Sequence, residues 1–284
     1  MEQVLSDYEK YLARLPLSKH TRRNYVLRVR AYLKWLEGTP VPIKALQDAL
    51  ERDFVVRDYK AYLLQAGYTS STVNANLAAV DSLYLYLGLG TAKIRRLDLP
   101  AQAPKALDPE EQRRFLKAVL HSQSARIQAI AFLLLHCGLR VSELAALNVG
   151  DVFVTARKGE LVVRCGKGCK QRKIPLNMEV RNALLKYLPY PQDPGEPLFK
   201  SQRGTRLTTN GIAHIIRELA HDAGVQMSCH SLRHTCLSRL IRLGADVVTV
   251  AEIAGHSRLE TTRRYSLPTA DVKISAMEKL NYAT

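Results

Sequence analysis

The sequence predicts a mainly α-helical protein of two domains, with a small β-hairpin in the second. Apolar residues recur at helical spacing through most of 1–90 and 108–284. The periodicity breaks over 88–107, where Gly, Pro and small residues gather. Two short β-like runs, 160–165 and 172–176, are joined through Gly166-Lys167-Gly168. A length of 284 residues suits two domains, and 46% apolar residues lets each bury a core.

In the first domain, 18–36 carries Tyr25, Val29, Tyr32, Leu33 and Leu36 on one stripe. Ser18 or Thr21 caps it, and Gly38-Thr39-Pro40 ends it. Further helices are expected at 43–50, 53–65 and 70–87, the last with Leu77, Val80, Tyr84 and Leu87 on one side. This makes a bundle of four or five helices over 1–90, followed by a linker at 91–107. The second domain, 108–284, opens on Asp108-Pro109-Glu110-Glu111: a capping residue, a proline at the first helical position and a glutamate three residues after the cap. Residues 127–137 read as a buried helix stopped by Gly138. Helices follow at 177–188, 208–223, 231–243, 246–254 and 259–266, with a last one near 270–281.

Forty-two Lys+Arg against 26 Asp+Glu leave +16 and a pI near 9.8. Residues 1–105 hold 16 basic and 10 acidic side chains, and 106–284 hold 26 and 16. Charge spread over both halves fits a polyanion contacted by the whole molecule. A generic basic surface or an anionic membrane surface are the alternatives. Five cysteines in no regular framework fit a reducing compartment. Neither Cys165-x3-Cys169 nor Cys229-x6-Cys236 has the close spacing zinc prefers, so no metal is expected. The N-terminus lacks the basic and apolar regions of a signal peptide, and no run approaches the ~20 apolar residues that span a bilayer. A cytoplasmic protein is expected.

Four patterns follow in order: Cys137-Gly-Leu-Arg-Val-Ser-Glu-Leu144, Gly166-Lys-Gly168, His230-Ser-Leu-Arg-His234, and Gly255-His-Ser with Tyr265 nine residues after His256. Each alone is weak. In this order they resemble the catalytic domain of the tyrosine recombinase (phage integrase) family. The resemblance covers most of 108–267, and the helical first half is similar to that family's core DNA-binding domain. It implies a mixed α/β catalytic domain acting on double-stranded DNA without metal or cofactor.

A phosphodiester needs its two non-bridging oxygens neutralised as the transition state forms. Arginine does this with a planar fork of permanent charge. Arg140 and Arg233 are the expected clamps, and Glu143, three residues after Arg140, is either their buttress or an ordinary ion-pair partner within its helix. A tyrosine phenol has a pKa of about 10 and needs its proton drawn off. Tyr265 is the expected nucleophile and His230 the candidate base. His256 is expected to donate a hydrogen bond to the phosphate or to position the attack. Lys167 is favoured over Lys170 and Lys173 as the acid that protonates the leaving 5′-oxygen. His234 completes H-x3-H, but the intervening Ser-Leu-Arg lacks the glutamate of a zincin, so His234 reads as structural or supporting. Arg22, Arg23, Lys93, Arg95, Arg96, Arg203 and Arg206 are candidate DNA contacts.

The resemblance further implies a homo-oligomer, a dimer on each inverted-repeat core site and a tetramer in synapsis, with accessory DNA sites or proteins in some members. Residues 266–284 are expected to pack on a neighbouring protomer through Val272, Ile274, Met277 and Leu280, or to fold back on their own domain. The early start of the helical domain leaves no room for an arm-site-binding domain. This favours Xer-like or transposon cointegrate resolvases over the larger integrases, with transposases and small phage or transposon integrases of the family as the alternative. A type IB topoisomerase, a non-catalytic DNA-binding regulator and a metal-dependent nuclease are the rival readings. If the excess charge serves DNA, affinity measured by fluorescence anisotropy falls with added salt, log K dropping by about 0.9 per neutralised phosphate. A flat salt dependence is the contrary result.

Overall fold

The computed structural model describes residues 1–99, 106–164, 171–188, 192–256, 259–263 and 265. The chain divides into two compact units, Met1–Pro100 and Ala101–Thr284.

The first unit contains α1 (Glu2–Arg14), α2 (Lys19–Glu37), α3 (Ala49–Gln65) and α4 (Ser70–Tyr86). The Ser18 hydroxyl accepts the Thr21 amide at 3.0 Å, so Ser18 rather than Thr21 caps α2. The helix expected at 43–50 is only a 3-10 turn, Lys44–Leu46. Its continuation is broken by Asp48, whose extended backbone and carboxylate cap α3 through the Leu50 and Glu51 amides at 2.7 and 3.1 Å. As a result α3 starts at Ala49, ahead of the expected 53. The core gathers Tyr8, Val29, Tyr32, Leu36, Tyr59, Val80 and Tyr84. The buried Tyr32 and Tyr84 hydroxyls satisfy each other at 2.5 Å.

The described part of 91–107 is packed rather than free. Ala92, Ile94 and Leu97 lie on the first unit's core, and the Asn74 amide bonds both the N–H and the C=O of Leu97 at 2.9 and 2.8 Å. Leu107 belongs to the second unit's core, where its N–H donates to the Thr235 hydroxyl at 2.8 Å.

The second unit runs α5 (Pro109–His121), α6 (Ala125–Cys137), α7 (Val141–Ala146), β1 (Val152–Val154), β2 (Gly159–Val163), β3 (Arg172–Pro175), α8 (Met178–Tyr187), α9 (Thr209–Asp222), α10 (Cys229–Arg242), α11 (Val247–Ala254) and α12 (Leu259–Arg263). The capping box at Asp108 forms as the sequence suggests, with reciprocal bonds of 2.8 and 3.0 Å to Glu111. The expected hairpin is β2 and β3, and it pairs antiparallel with Leu161 opposite Ile174. β1 extends it to a three-stranded sheet, Val152 opposite Leu161, that the sequence did not announce. α6 is buried from Gln128 through Leu135 and packs against α8 and α10. Among the described residues no helix is long and apolar enough to cross a membrane. The expected helix near 270–281 and the protomer-contact segment 266–284 lie outside the described residues.

Two helices end on glycines with left-handed backbones: α6 at Gly138 (φ +59°) and α11 at Gly255 (φ +62°). A Cβ on Gly138 would sit 3.3 Å from Leu237 Cδ2 and 3.4 Å from Cys236 Sγ. Gly138→Ala should therefore lower unfolding stability by about 1–2 kcal/mol, the cost of the left-handed conformation for a residue with a Cβ. Urea denaturation of the purified protein measures this, and an unchanged midpoint would contradict the argument.

Candidate active site

The acceptors that organise the site come from those same two helix ends. A helix leaves its last carbonyls without partners inside the helix and carries partial negative charge there. Arg233 on α10 donates from Nη1 to the carbonyl of Gly138 and from Nη2 to that of Ala254, the latter at 2.6 Å. Arg140, at the start of α7, donates to Ala254 and Gly255 carbonyls at 3.5 and 3.3 Å. Arg172 on β3 donates from Nε to the Ile253 carbonyl at 2.9 Å.

One carboxylate joins the three guanidiniums. Glu143 accepts from the Arg140 backbone N–H and from Arg140 Nη1, both at 2.8 Å. It also accepts from Arg172 Nη1 and Nη2 at 3.1 and 2.8 Å, and lies 3.9 Å from Arg233 Nη1. Its side chain is buried, which by itself raises a carboxyl's pKa. The bonds from Arg172 and from the backbone and side chain of Arg140 outweigh that and hold it below the usual glutamate value. Glu143 is thus the buttress of a cluster, and more than an ion-pair partner within one helix. Arg172 was not among the expected residues. Its only sequence signal is its place at the start of the strand that follows the Gly-Lys-Gly segment, and the fold alone brings it to Glu143. Gly255 makes room for it, since a Cβ there would meet Arg172 Nη1 at 2.7 Å.

The Arg233 side chain retains only 2% exposure, against 35% for Arg140. Burial, then the charge of Arg140, lowers the Arg233 pKa to about 10, leaving it cationic at neutral pH. Its Nη2 also lies 3.0 Å from Nε2 of His256. A guanidinium only donates, so Nε2 must accept, and the ring proton sits on Nδ1, which donates to the Thr262 hydroxyl at 2.8 Å. Burial and the charges of Arg233, Arg140 and Arg172 push the His256 pKa down to about 4. His256 is therefore an acceptor toward Arg233, where the sequence reading expected it either to donate to the phosphate or to position the attack. Thr262 is fully buried on α12, and its carbonyl receives the Tyr265 amide at 2.9 Å, so the His256–Thr262 bond also places Tyr265.

The Tyr265 ring packs beside Leu237, Val250 and Ala254 and stacks 6.4 Å from the His256 ring at 14°. Its hydroxyl is bonded to Nδ1 of His234, one helical turn along α10 from His230. His230 is exposed, and its ring lies 4.0 Å from that of His234 at 72°. The fold thus gathers Arg140, His230, Arg233, His256 and Tyr265 on one side of the second unit. Lys167 and its rival Lys170 lie outside the described residues. The other rival, Lys173, pairs with Glu160 at 2.9 Å.

The candidate DNA contacts separate into two kinds. Arg23, Lys93 and Arg203 are exposed, and exposed Arg95 pairs with Asp98 at 3.2 Å. Half-buried Arg22 donates to the Ala13 carbonyl at 3.5 Å, and Arg96 is ion-paired with Asp81. Arg206 holds structure: its guanidinium donates to the carbonyls of Ala145 and Leu147 and to Asn148 Oδ1 at 3.1, 2.9 and 2.6 Å. Cys137, Cys229 and Cys236 are buried free thiols, and burial raises the pKa of each, so they are packing residues. Cys165 and Cys169 lie outside the described residues.

Clustered guanidiniums held ready beside a tyrosine hydroxyl are the equipment of an enzyme that transfers phosphoryl groups through tyrosine. The chain belongs to the phage integrase family, the tyrosine recombinases, which cleave and rejoin DNA strands: the Phage integrase family model matches residues 105–270, and the model for the N-terminal SAM-like domain of phage integrases matches 5–88. It is 32% identical over 282 residues to tyrosine recombinase XerA of Thermococcus kodakarensis, covering 98% of this chain and 95% of that one. Identity to tyrosine recombinase XerC of Bacillus subtilis is 31%, covering 88% and 86%. A crystal structure of XerA recombinase matches all of this chain and 99% of its own at a TM-score of 0.55 and 26% identity. The Tn1549 transposon integrase in complex with transposon right end DNA shares the fold, with a TM-score of 0.74 at 19% identity over 98% of this chain and 99% of that one.

The His256 pKa gives a pH prediction with a definite sign. Its folded value, about 4, lies below the ordinary 6.5, so between those values the unfolded chain binds the extra proton. This group's effect on stability is absent above pH 6.5, and stability falls as pH drops from 6.5 toward 4. In a ¹H–¹⁵N NMR titration of the DNA-free protein, His256 should titrate well below 6.5, with a midpoint of about 4. A midpoint at 6.5 or above would contradict the arrangement.

Proposed function

We propose that the protein is a site-specific recombinase that uses Tyr265 to open one DNA strand at a time and Arg140, Arg233, His230 and Lys167 to manage the charge and protons of that step. The observation that carries this reading is the convergence of Arg140, Arg233, His256 and Tyr265 through Glu143 and two helix ends. A scissile phosphate meets half-buried Arg140 before the fully buried Arg233. To reach Arg233 it takes the place where His256 Nε2 now accepts, which frees His256 to take a proton and donate to the phosphate. His230, on the exposed side of α10, hydrogen-bonds a non-bridging oxygen.

The tyrosine hydroxyl gives its proton to a histidine of α10 as its oxygen bonds to phosphorus, and the 5′-oxygen leaves, taking a proton from Lys167. A 3′-phosphotyrosyl link and a free 5′-hydroxyl result. The 5′-hydroxyl of a partner strand then attacks phosphorus, the phenolate departs and is reprotonated, and Lys167 recovers its proton. Bond energy is kept in the covalent link, so this scheme consumes no nucleotide.

Relatives matched along nearly the whole chain carry Xer names, which favours resolution of chromosome, plasmid or mobile-element dimers. Under this reading two protomers occupy the inverted repeats of one core site, and two such sites pair as a tetramer. The proposed contacts along the duplex are Arg22, Arg23, Lys93, Arg95, Arg96 and Arg203, with Arg206 holding the loop that carries Arg203.

The test uses a nicked suicide duplex carrying the core site. The wild-type protein should accumulate a covalent adduct on a denaturing gel in the presence of EDTA, and Tyr265→Phe should give none. An adduct formed by Tyr265→Phe would sink the assignment.

A further inference from the structure

The Tyr265 phenol must lose its proton as it attacks, and the histidines of the site differ in their fitness to receive it. His256 has both ring nitrogens engaged, Nε2 by Arg233 at 3.0 Å and Nδ1 by Thr262 at 2.8 Å. Burial, and then three guanidiniums nearby, also make it a weak base, with a pKa of about 4. His230 is exposed on the side of α10 open to an arriving backbone. His234 stands half-buried between that surface and the nucleophile, with Nδ1 hydrogen-bonded to Tyr265 Oη and ring centroids 5.4 Å apart. Four residues apart on one helix, His230 and His234 share a face, and their rings meet edge to face at 4.0 Å.

We infer that His234 is a catalytic residue and the direct proton acceptor for Tyr265, while His230 serves the phosphate. The inference rests on the reading of Tyr265 as the nucleophile. In the neutral ring the proton lies on Nε2 and the Nδ1 lone pair faces Oη. As Oη bonds phosphorus, its proton passes to Nδ1 and His234 becomes an imidazolium. The proton for the leaving 5′-oxygen comes separately, from Lys167. On resealing, the phosphorus–Oη bond breaks and Nδ1–H returns its proton to the departing phenolate, so the ring begins and ends each cycle neutral. An imidazole suits this because its ordinary pKa lies close to the working pH. Among the described residues, the charged and titratable groups facing the His234–Tyr265 pair include His230 and Arg233 on α10 and His256 beyond α11.

His234→Asn keeps a polar atom near the position of Nδ1 but cannot carry the proton. Single-turnover adduct formation on the nicked duplex should slow by about 10²-fold or more, the usual worth of a general base. DNA affinity should be unchanged. A duplex with sulfur in place of the bridging 5′-oxygen has a leaving group that needs no proton. That substrate should rescue a variant lacking the acid, Lys167→Ala, and leave His234→Asn slow. Wild-type rates for His234→Asn, or rescue by the sulfur substrate, would overturn the inference. A readout independent of the variant's folding is the ¹⁵N resonance of His234 Nδ1, which should shift between wild type and Tyr265→Phe. An unmoved resonance also overturns it. An adduct surviving in Tyr265→Phe instead removes the nucleophile assignment, so the two failures are distinguishable.

Discussion

A buried cluster of like charges survives only if acceptors surround it, and that requirement shapes the whole catalytic unit. Arg140, Arg172 and Arg233 crowd around a single carboxylate, Glu143. One negative charge does not balance three positive ones. The difference is met by carbonyls at the ends of α6 and α11, which offer lone pairs and dipoles that no hydrogen bond within those helices occupies. The cluster keeps a net positive character that a phosphate can satisfy, and it is ordered before the phosphate arrives. Donors fixed in advance need no reorganisation as charge develops in a transition state.

The left-handed glycines at 138 and 255 belong to the same solution. Each stops its helix with the carbonyls directed at the arginines, and Gly255 leaves space against Arg172 that a side chain would fill. The short α12 is tied to this frame by the His256–Thr262 bond, and Tyr265 follows directly from it. The arginines and Tyr265 therefore share one scaffold, and a disturbance at a helix end is felt at the phenol.

Much of this was legible in the sequence, for identifiable reasons. Motifs that depend on neighbours along the chain read well. The capping box at Asp108, the glycine stops and the hairpin flanking Lys167 are all local. The turn at 44–46 was misread because its apolar content suits a helix, whereas the Asp48 cap decides that the helix begins afterwards. β1 was missed because three residues leave no period to detect. Among site residues, Arg140, Arg233, His256 and Tyr265 stood out through the resemblance of their ordered motifs to the family. Arg172 and the contact of His234 with Tyr265 did not, because both depend on elements brought together by the fold. Arg206 shows the converse: a basic residue in a suitable place whose guanidinium holds a loop.

Arg233 bonds Gly138, 95 residues earlier in the chain, and Arg140 bonds Gly255, 115 residues later. No short stretch of this polypeptide holds a competent centre. A nascent or partly unfolded copy has its arginines in water and its tyrosine unplaced. The meeting of arginines and tyrosine is thereby withheld until the last long-range closure is made, so a partly folded copy has no assembled centre to present to DNA.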